Sequence, residues 1–222
     1  MEVSSQNQKK LKNLRLKAFT LAEVLIVLAI VGMIANMTIP TLMNNVGEKQ
    51  NKVAWVKKYS EINQLLRRMN ADYIFPVHLD ASLNSAFAGY ILTSKKCDHS
   101  VTEGCWHAKW YSLEGVQVST VSSDTPGYIM NDGSLFVHRT WYAPDTAATR
   151  VFDIGAQIPQ FLVDVNGFKG PNKQGYDIFG GYLGAQGIVL STNGTCDRTN
   201  FADNAYSADL DCSRKVILGE NY

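Results

Sequence analysis

Phe19-Thr20-Leu21-Ala22-Glu23-Val24-Leu25-Ile26-Val27-Leu28-Ala29-Ile30 opens a run of 21 residues, ending at Ile39, whose strongly polar members are Thr20, Glu23, Asn36 and Thr38. As a helix at roughly 1.5 Å per residue this run is about 31 Å long, which matches the hydrocarbon core of a bilayer. It is expected to span a membrane. Lys9, Lys10, Lys12, Arg15 and Lys17 precede it against Glu2 alone. The positive-inside bias therefore keeps the first 18 residues in the cytoplasm and sends everything after Pro40 outside.

Glu23 is the anomaly in this run. A carboxylate at the centre of a spanning helix costs about 2.5 to 3.5 kcal/mol on insertion scales, and somewhat less near an interface. A secretory signal peptide gains nothing from such a residue, and the run ends in Asn36-Met37-Thr38-Ile39-Pro40 without an A-x-A cleavage site. A plain uncleaved anchor has no more use for it. An intramembrane acid points to a function and to a partner of opposite charge. Within its own chain the alternatives are pairing with its own N-terminus or snorkelling to the headgroups.

Charge and cysteine content bear on what lies outside. The whole chain carries 21 Lys and Arg against 20 Asp and Glu, and removal of residues 1 to 18 leaves 16 against 19. A net charge of about −3 gives no global attraction to nucleic acid. The four cysteines fall in two close pairs, Cys97 with Cys105 and Cys196 with Cys212. Even number and paired spacing favour two disulfides in an oxidising compartment, although four cysteines allow three pairings.

A basic leader, Ala18, then Phe19-Thr20-Leu21-Ala22-Glu23 and an apolar helix together resemble the class III signal of type IV pilins and type II secretion pseudopilins. The resemblance covers about 25 residues, and Ala18 stands where that family usually has Gly. It implies cleavage by a prepilin peptidase after Ala18 and N-methylation of the new Phe19 amine. Glu23 would then supply the counter-charge to the Phe19 amine of a neighbouring subunit and select axial register. Gly32 and Pro40 stand where the family places a helix-weakening Gly and a kinking Pro, and both residue types loosen a helix on physical grounds. The implied partners are other pilins or pseudopilins, the peptidase, membrane lipid and an inner-membrane assembly platform driven by a cytoplasmic ATPase. The implied location is the inner membrane as a single-pass protein with its head outside the cytoplasm, and then a pilus or pseudopilus.

Beyond Pro40 the apolar residues Val46, Val53, Val56, Tyr59, Ile62, Leu66 and Met69 recur at mostly helical spacing, with Lys49, Lys52, Lys57, Lys58, Glu61, Arg67 and Arg68 largely between them. This predicts an amphipathic helix that ends near Tyr73, before Pro76. From about residue 77 short apolar runs alternate with Gly, Asn, Asp and Ser. Tyr128-Ile129-Met130 and Leu135-Phe136-Val137-His138 flank Asn131-Asp132-Gly133 and read as a hairpin. Ile158 to Val165 reads as a strand, and Gly187 to Leu190 as another. The expected class is α+β, with a long N-terminal helix packed on an antiparallel head, as in pilins. Its parts are a leader (1–18), a membrane helix (19–40), an amphipathic helix (41–75) and a globular head (76–222).

Two constellations in the head raise the question of chemistry. Cys97-x-His99 and Cys105-x-His107 offer zinc ligands, but known zinc sites more often use C-x2-C spacing, so a disulfide loop with both histidines on the surface is expected. In the segment from Asp164 to Asp177, the oxygen-bearing Asp164, Asn166, Asn172 and Asp177 alternate with glycines, which suits a hard cation such as calcium. A loop held by Asx-turns and Pro171 is the competing reading. His78, His99, His107 and His138 have no G-x-S-x-G, H-E-x-x-H or P-loop beside them, and carboxylates such as Asp132 and Asp153 are scattered, so no catalytic residue is assigned. The expected function is a structural filament subunit. The alternative is a low-copy minor pilin whose head binds a surface or DNA through Trp106, Trp110, Trp141 and Tyr142.

Overall fold

In the computed structural model the described residues are 19–72, 87–118, 121, 125–142, 157–184, 187–190, 196 and 210–220, with backbone alone at 41, 44–45, 118, 139–142, 157–158 and 210–211. The leader with Ala18, the expected helix end near Tyr73, and His78 and Asp153 lie outside them, as do the side chains of Trp141 and Tyr142. The chain divides into two compact units, Met1–Val46 and Gly47–Tyr222. The sequence had suggested a boundary at Pro40.

One helix, α1 (Leu21–Ala71), runs without interruption through Pro40. In the first unit its apolar side chains are exposed all round, from Leu25 through Ile30 and Ile34 to Ile39. The stretch Leu21–Pro40 is long and apolar enough to cross a membrane. Pro40 has no N–H to give the carbonyl of Asn36, so the ladder lacks one bond there. A Cβ placed on Gly32 would meet nothing within 4 Å, so nothing in the chain's own packing calls for glycine there.

In the second unit α1 turns Ile62, Leu66 and Met69 inward as expected, with Tyr59 packed against the core, but its stripe departs from the expected one nearer the start. Asn51, Trp55, Lys58, Ile62, Leu65, Leu66 and Met69 are buried, whereas Val53 is 70% and Val56 47% exposed. Trp55 sets the face because its ring has far more apolar area to remove from water than a valine. Val53, two residues away, then points about 200° round the helix. Lys58 is buried as a pair: its Nζ lies 2.8 Å from Glu61 and 2.6 Å from Asp132. Without those carboxylates its burial would be costly.

The strands are β1 (Thr93–Cys97), β2 (Trp110–Tyr111), β3 (Gln117–Val118), β4 (Gly127–Met130), β5 (Leu135–Tyr142), β6 (Gln157–Asp164), β7 (Ile178–Gly184) and β8 (Gly187–Val189), and a short helix, α2 (Leu210–Leu218), closes the described chain. Six strands form one antiparallel sheet in the order β1-β4-β5-β6-β7-β8, and β2-β3 is a separate hairpin. The architecture is α+β. The expected β4–β5 hairpin is present: Gly133 takes φ 86°, and Asp132 accepts from the Ser134 N–H at 3.2 Å and hydroxyl at 2.7 Å. An Asx-type turn of this kind is what Asn-Asp-Gly favours.

Both faces of the sheet are covered, and alternation along the strands sorts the side chains. Phe136, Phe161, Val163, Phe179 and Leu183 pack with Trp55, Ile62, Leu66 and Met69 of α1 and with Phe87. Their neighbours Leu135, Val137, Leu162, Ile178 and Tyr182 point the other way, against Trp106, Trp110 and Val121. Every residue of β7 is buried, which fits a strand with both faces covered. Gly181 is needed there because a Cβ would come 3.0 Å from Ile188 Cγ2 and 3.1 Å from the Val189 carbonyl.

Candidate functional site

The first site is the start of α1. Helical geometry begins at Leu21, so Phe19 and Thr20 lie outside the helix and Glu23 sits in its first turn. The Thr20 N–H and hydroxyl both donate to Glu23 Oε2, each at 2.8 Å, and the Glu23 N–H donates to Thr20 Oγ at 3.2 Å. This is a capping box, in which a side chain at each end satisfies a helix-terminal N–H of the other. The residue engaging Glu23 inside its own chain is therefore Thr20. T-x-x-E at the head of an apolar run is a legible sequence signal for this arrangement.

The second site lies at one end of the head sheet, where β6 leads through a loop into β7. Asp164 and Asp177, the two ends of the segment singled out in the sequence, are both buried there. His107 Nε2 lies 2.8 Å from Asp164 Oδ2, and the Asn166 N–H donates to Asp164 Oδ1 at 3.1 Å. Asp177 accepts from the Lys173 N–H at 2.5 Å, the Asn172 N–H at 2.9 Å and the Asn166 side-chain amide at 3.2 Å. Burial pushes the Asp164 carboxyl up to about 6, with the His107 contact opposing and the neighbouring Asp177 charge adding to the rise. Burial also raises Asp177. His107 is buried, contrary to the expected surface position, while His99 is exposed as expected.

This loop ties several segments together. The Tyr111 N–H donates to the Asn172 carbonyl and the Gln174 N–H to the Tyr111 carbonyl, both at 2.9 Å. Gly175, at φ 74°, leaves room for Cys212, whose sulfur would be 2.9 Å from a Cβ there. Asn172 adopts φ 56°, a conformation that Asn tolerates better than most residues.

All four suggested cation ligands, Asp164, Asn166, Asn172 and Asp177, are thus brought to one loop. Both carboxylates already accept from the chain's own donors. The Asn166 amide turns its nitrogen toward Asp177, so its oxygen faces away from that carboxylate. That oxygen and Asn172 Oδ1 are buried without a hydrogen-bond partner. Among the described residues no three His, Cys, Asp or Glu side chains form a metal-holding group. The Asn166 N–H that donates to Asp164 closes an Asx-type turn of the kind expected as the competing reading.

Cys97 is joined to Cys105 and Cys196 to Cys212. The second bridge reaches into helix α2. Trp106 and Trp110, considered as exposed binding aromatics, are 2% and 0% exposed and belong to the second core. No protein-family model, no curated protein and no solved structure matches this chain.

Proposed function

We propose that the chain is a structural filament subunit of the type IV pilin or type II secretion pseudopilin kind, cut after Ala18 by a prepilin peptidase, methylated on Phe19 and assembled through its N-terminal helix. The observation that carries the reading is the helix Leu21–Pro40, apolar and exposed all round, with one carboxylate in its first turn. Such a surface has to be covered by lipid or by other helices. Open space at Gly32 fits close approach of a neighbouring helix, because small residues let backbones come together in a membrane. Pro40 gives the rod a place to bend. The disulfides suit a head outside the cytoplasm. The tip-binding alternative loses Trp106 and Trp110 as contact residues, since both lie in the core.

The test is N-terminal sequencing of the mature chain together with crosslinking of wild type and Glu23→Ala in membranes. A chain beginning at Phe19 and forming multimers that Glu23→Ala abolishes is the expected result. A mature chain that begins elsewhere, or a Glu23→Ala chain that multimerises normally, sinks the reading.

A further inference from the structure

We propose that Lys58 and Asp132 condense to an intramolecular amide, with Glu61 as the proton relay, so that helix α1 becomes covalently tied to the β4–β5 turn. The proposal stands apart from the filament reading and assigns a modification site in the head.

Three groups meet at Lys58. Its side chain is 5% exposed, and its Nζ lies 2.6 Å from Asp132 Oδ2 and 2.8 Å from Glu61 Oε2. Asp132 Oδ1 is held separately, by the Ser134 N–H at 3.2 Å and hydroxyl at 2.7 Å. Ser134 is itself buried, so these two donors are sheltered from water. The carboxyl thus has one oxygen against an amine and the other in a small cradle of donors. Burial raises the Asp132 carboxyl, but the bonds from Lys58 and Ser134 outweigh it and hold it below the ordinary value, so the pair rests as ammonium and carboxylate.

A proton moved from Nζ to Oδ2 along their contact turns that pair into neutral amine and neutral acid, with no exchange with solvent. The freed Nζ lone pair attacks Cγ, and the C=O electrons move onto Oδ1, where the two Ser134 donors meet the negative charge. Glu61 takes the extra proton from Nζ and gives it to Oδ2. The Cγ–Oδ2 bond breaks, Oδ1 returns its electrons to Cγ, and Oδ2 leaves as water. The sum is amine plus acid to amide plus water, with Glu61 unchanged. Asp132 is 41% exposed, which gives that water a way out. Free amines and acids do not condense in dilute water, but fixing the two in contact supplies an effective concentration of about 10⁵ M or more. The resulting crosslink constrains the unfolded chain as a disulfide does.

The experiment uses the full chain purified from membranes in detergent, reduced, digested with trypsin and analysed by mass spectrometry. A linked pair of peptides carrying Lys58 and Asp132, lighter than their sum by one water and uncut after Lys58, is the expected result. Lys58→Arg and Asp132→Ala should each give separate peptides only. Glu61→Gln keeps the size of the side chain and loses its base. It should lower the linked fraction about a hundredfold at a fixed short time after a synthesis pulse. Circular dichroism checks that the Glu61→Gln chain keeps the wild-type helix. Wild-type peptides found only separately, with cleavage after Lys58, overturn the proposal whatever the variants do. A linked fraction that Glu61→Gln leaves unchanged overturns the relay and the mechanism with it.

Discussion

The indole Nε1 of Trp55 donates to the backbone carbonyl of Ser213 at 3.0 Å, joining residues 158 positions apart. The Ser213 hydroxyl in turn accepts from the Gly180 N–H at 2.8 Å. Helix α1, strand β7 and helix α2 thus meet at one serine. The Trp55 ring also stacks on Phe179 with centroids 5.5 Å apart. Trp55→Ala should cost about 3 to 5 kcal/mol, through lost burial and a cavity. Trp55→Phe should cost about 1 to 2 kcal/mol, because the carbonyl of Ser213 loses its donor. Chemical denaturation of the detergent-solubilised protein reads both, and a Trp55→Phe variant as stable as wild type would discount the hydrogen bond.

His138 sits on the inner face of β5 among Phe87, Tyr128 and Phe136. Burial pushes its pKa down to about 4, below the ordinary 6.5. The unfolded chain therefore takes up a proton that the folded chain refuses, and this part of the stability, present above pH 6.5, is lost as pH falls toward 4. Asp164 acts in the opposite sense. Its folded value of about 6 lies above the ordinary 3.8, so its contribution is full below pH 3.8 and is lost as pH rises through 6. Going from pH 7 to pH 5, His138→Phe should lose less stability than wild type by about 2 kcal/mol. Identical losses would show that His138 does not titrate as its burial implies.

Two glycines should resist substitution for different reasons. A Cβ at Gly127 would lie 2.5 Å from Ser100 Cβ and 3.1 Å from Cys105 Cβ, against the loop closed by the first disulfide. At Gly133 a Cβ would meet nothing within 4 Å, but φ is +86°. Gly133→Ala should cost about 1 to 2 kcal/mol from backbone conformation alone. Gly127→Ala should cost about 3 kcal/mol by overpacking. Opening the Cys97–Cys105 bridge by Cys→Ser substitution frees that loop to shift and should shrink the Gly127→Ala penalty but not the Gly133→Ala one. Unfolding of the four single and double variants decides it.

Millimolar calcium should leave the thermal unfolding midpoint of the protein unchanged. Asp164 and Asp177 already accept hydrogen bonds from His107, Asn166, Asn172 and Lys173. A cation would compete with those donors for the same carboxylates. A rise in midpoint with calcium, abolished by Asp177→Asn, would mean that the loop rearranges around the ion.

Much of the plan was legible because it is written in local pattern. The apolar run, the helical spacing beyond Pro40 and the Asn131-Asp132-Gly133 turn each depend on residues within a few positions of one another. Strand β7 was harder to see, since Gly180-Gly181 interrupts it with two residues of low strand propensity and it is held by its neighbours on both sides. Helix α2 was hidden for a similar reason, being anchored by Cys212 and Ser213 to distant partners. The inward stripe of α1 was misjudged at Val53 and Val56 because spacing alone cannot weigh one large ring against two small side chains.

What the sequence determined by itself is a chain with an apolar, membrane-length helix, one acid near its start, and an α+β remainder with cysteines in close pairs. These follow from periodicity, hydrophobic length and turn chemistry, which act over a few residues. Tertiary structure alone decided that His107, Asp164 and Asp177 share one buried end of the sheet, that Trp106 and Trp110 lie in a second core, and that Lys58 is buried between two carboxylates. Those outcomes depend on which distant segments the antiparallel register brings face to face, and the free energy of a buried charge is set by neighbours that adjacent residues do not specify.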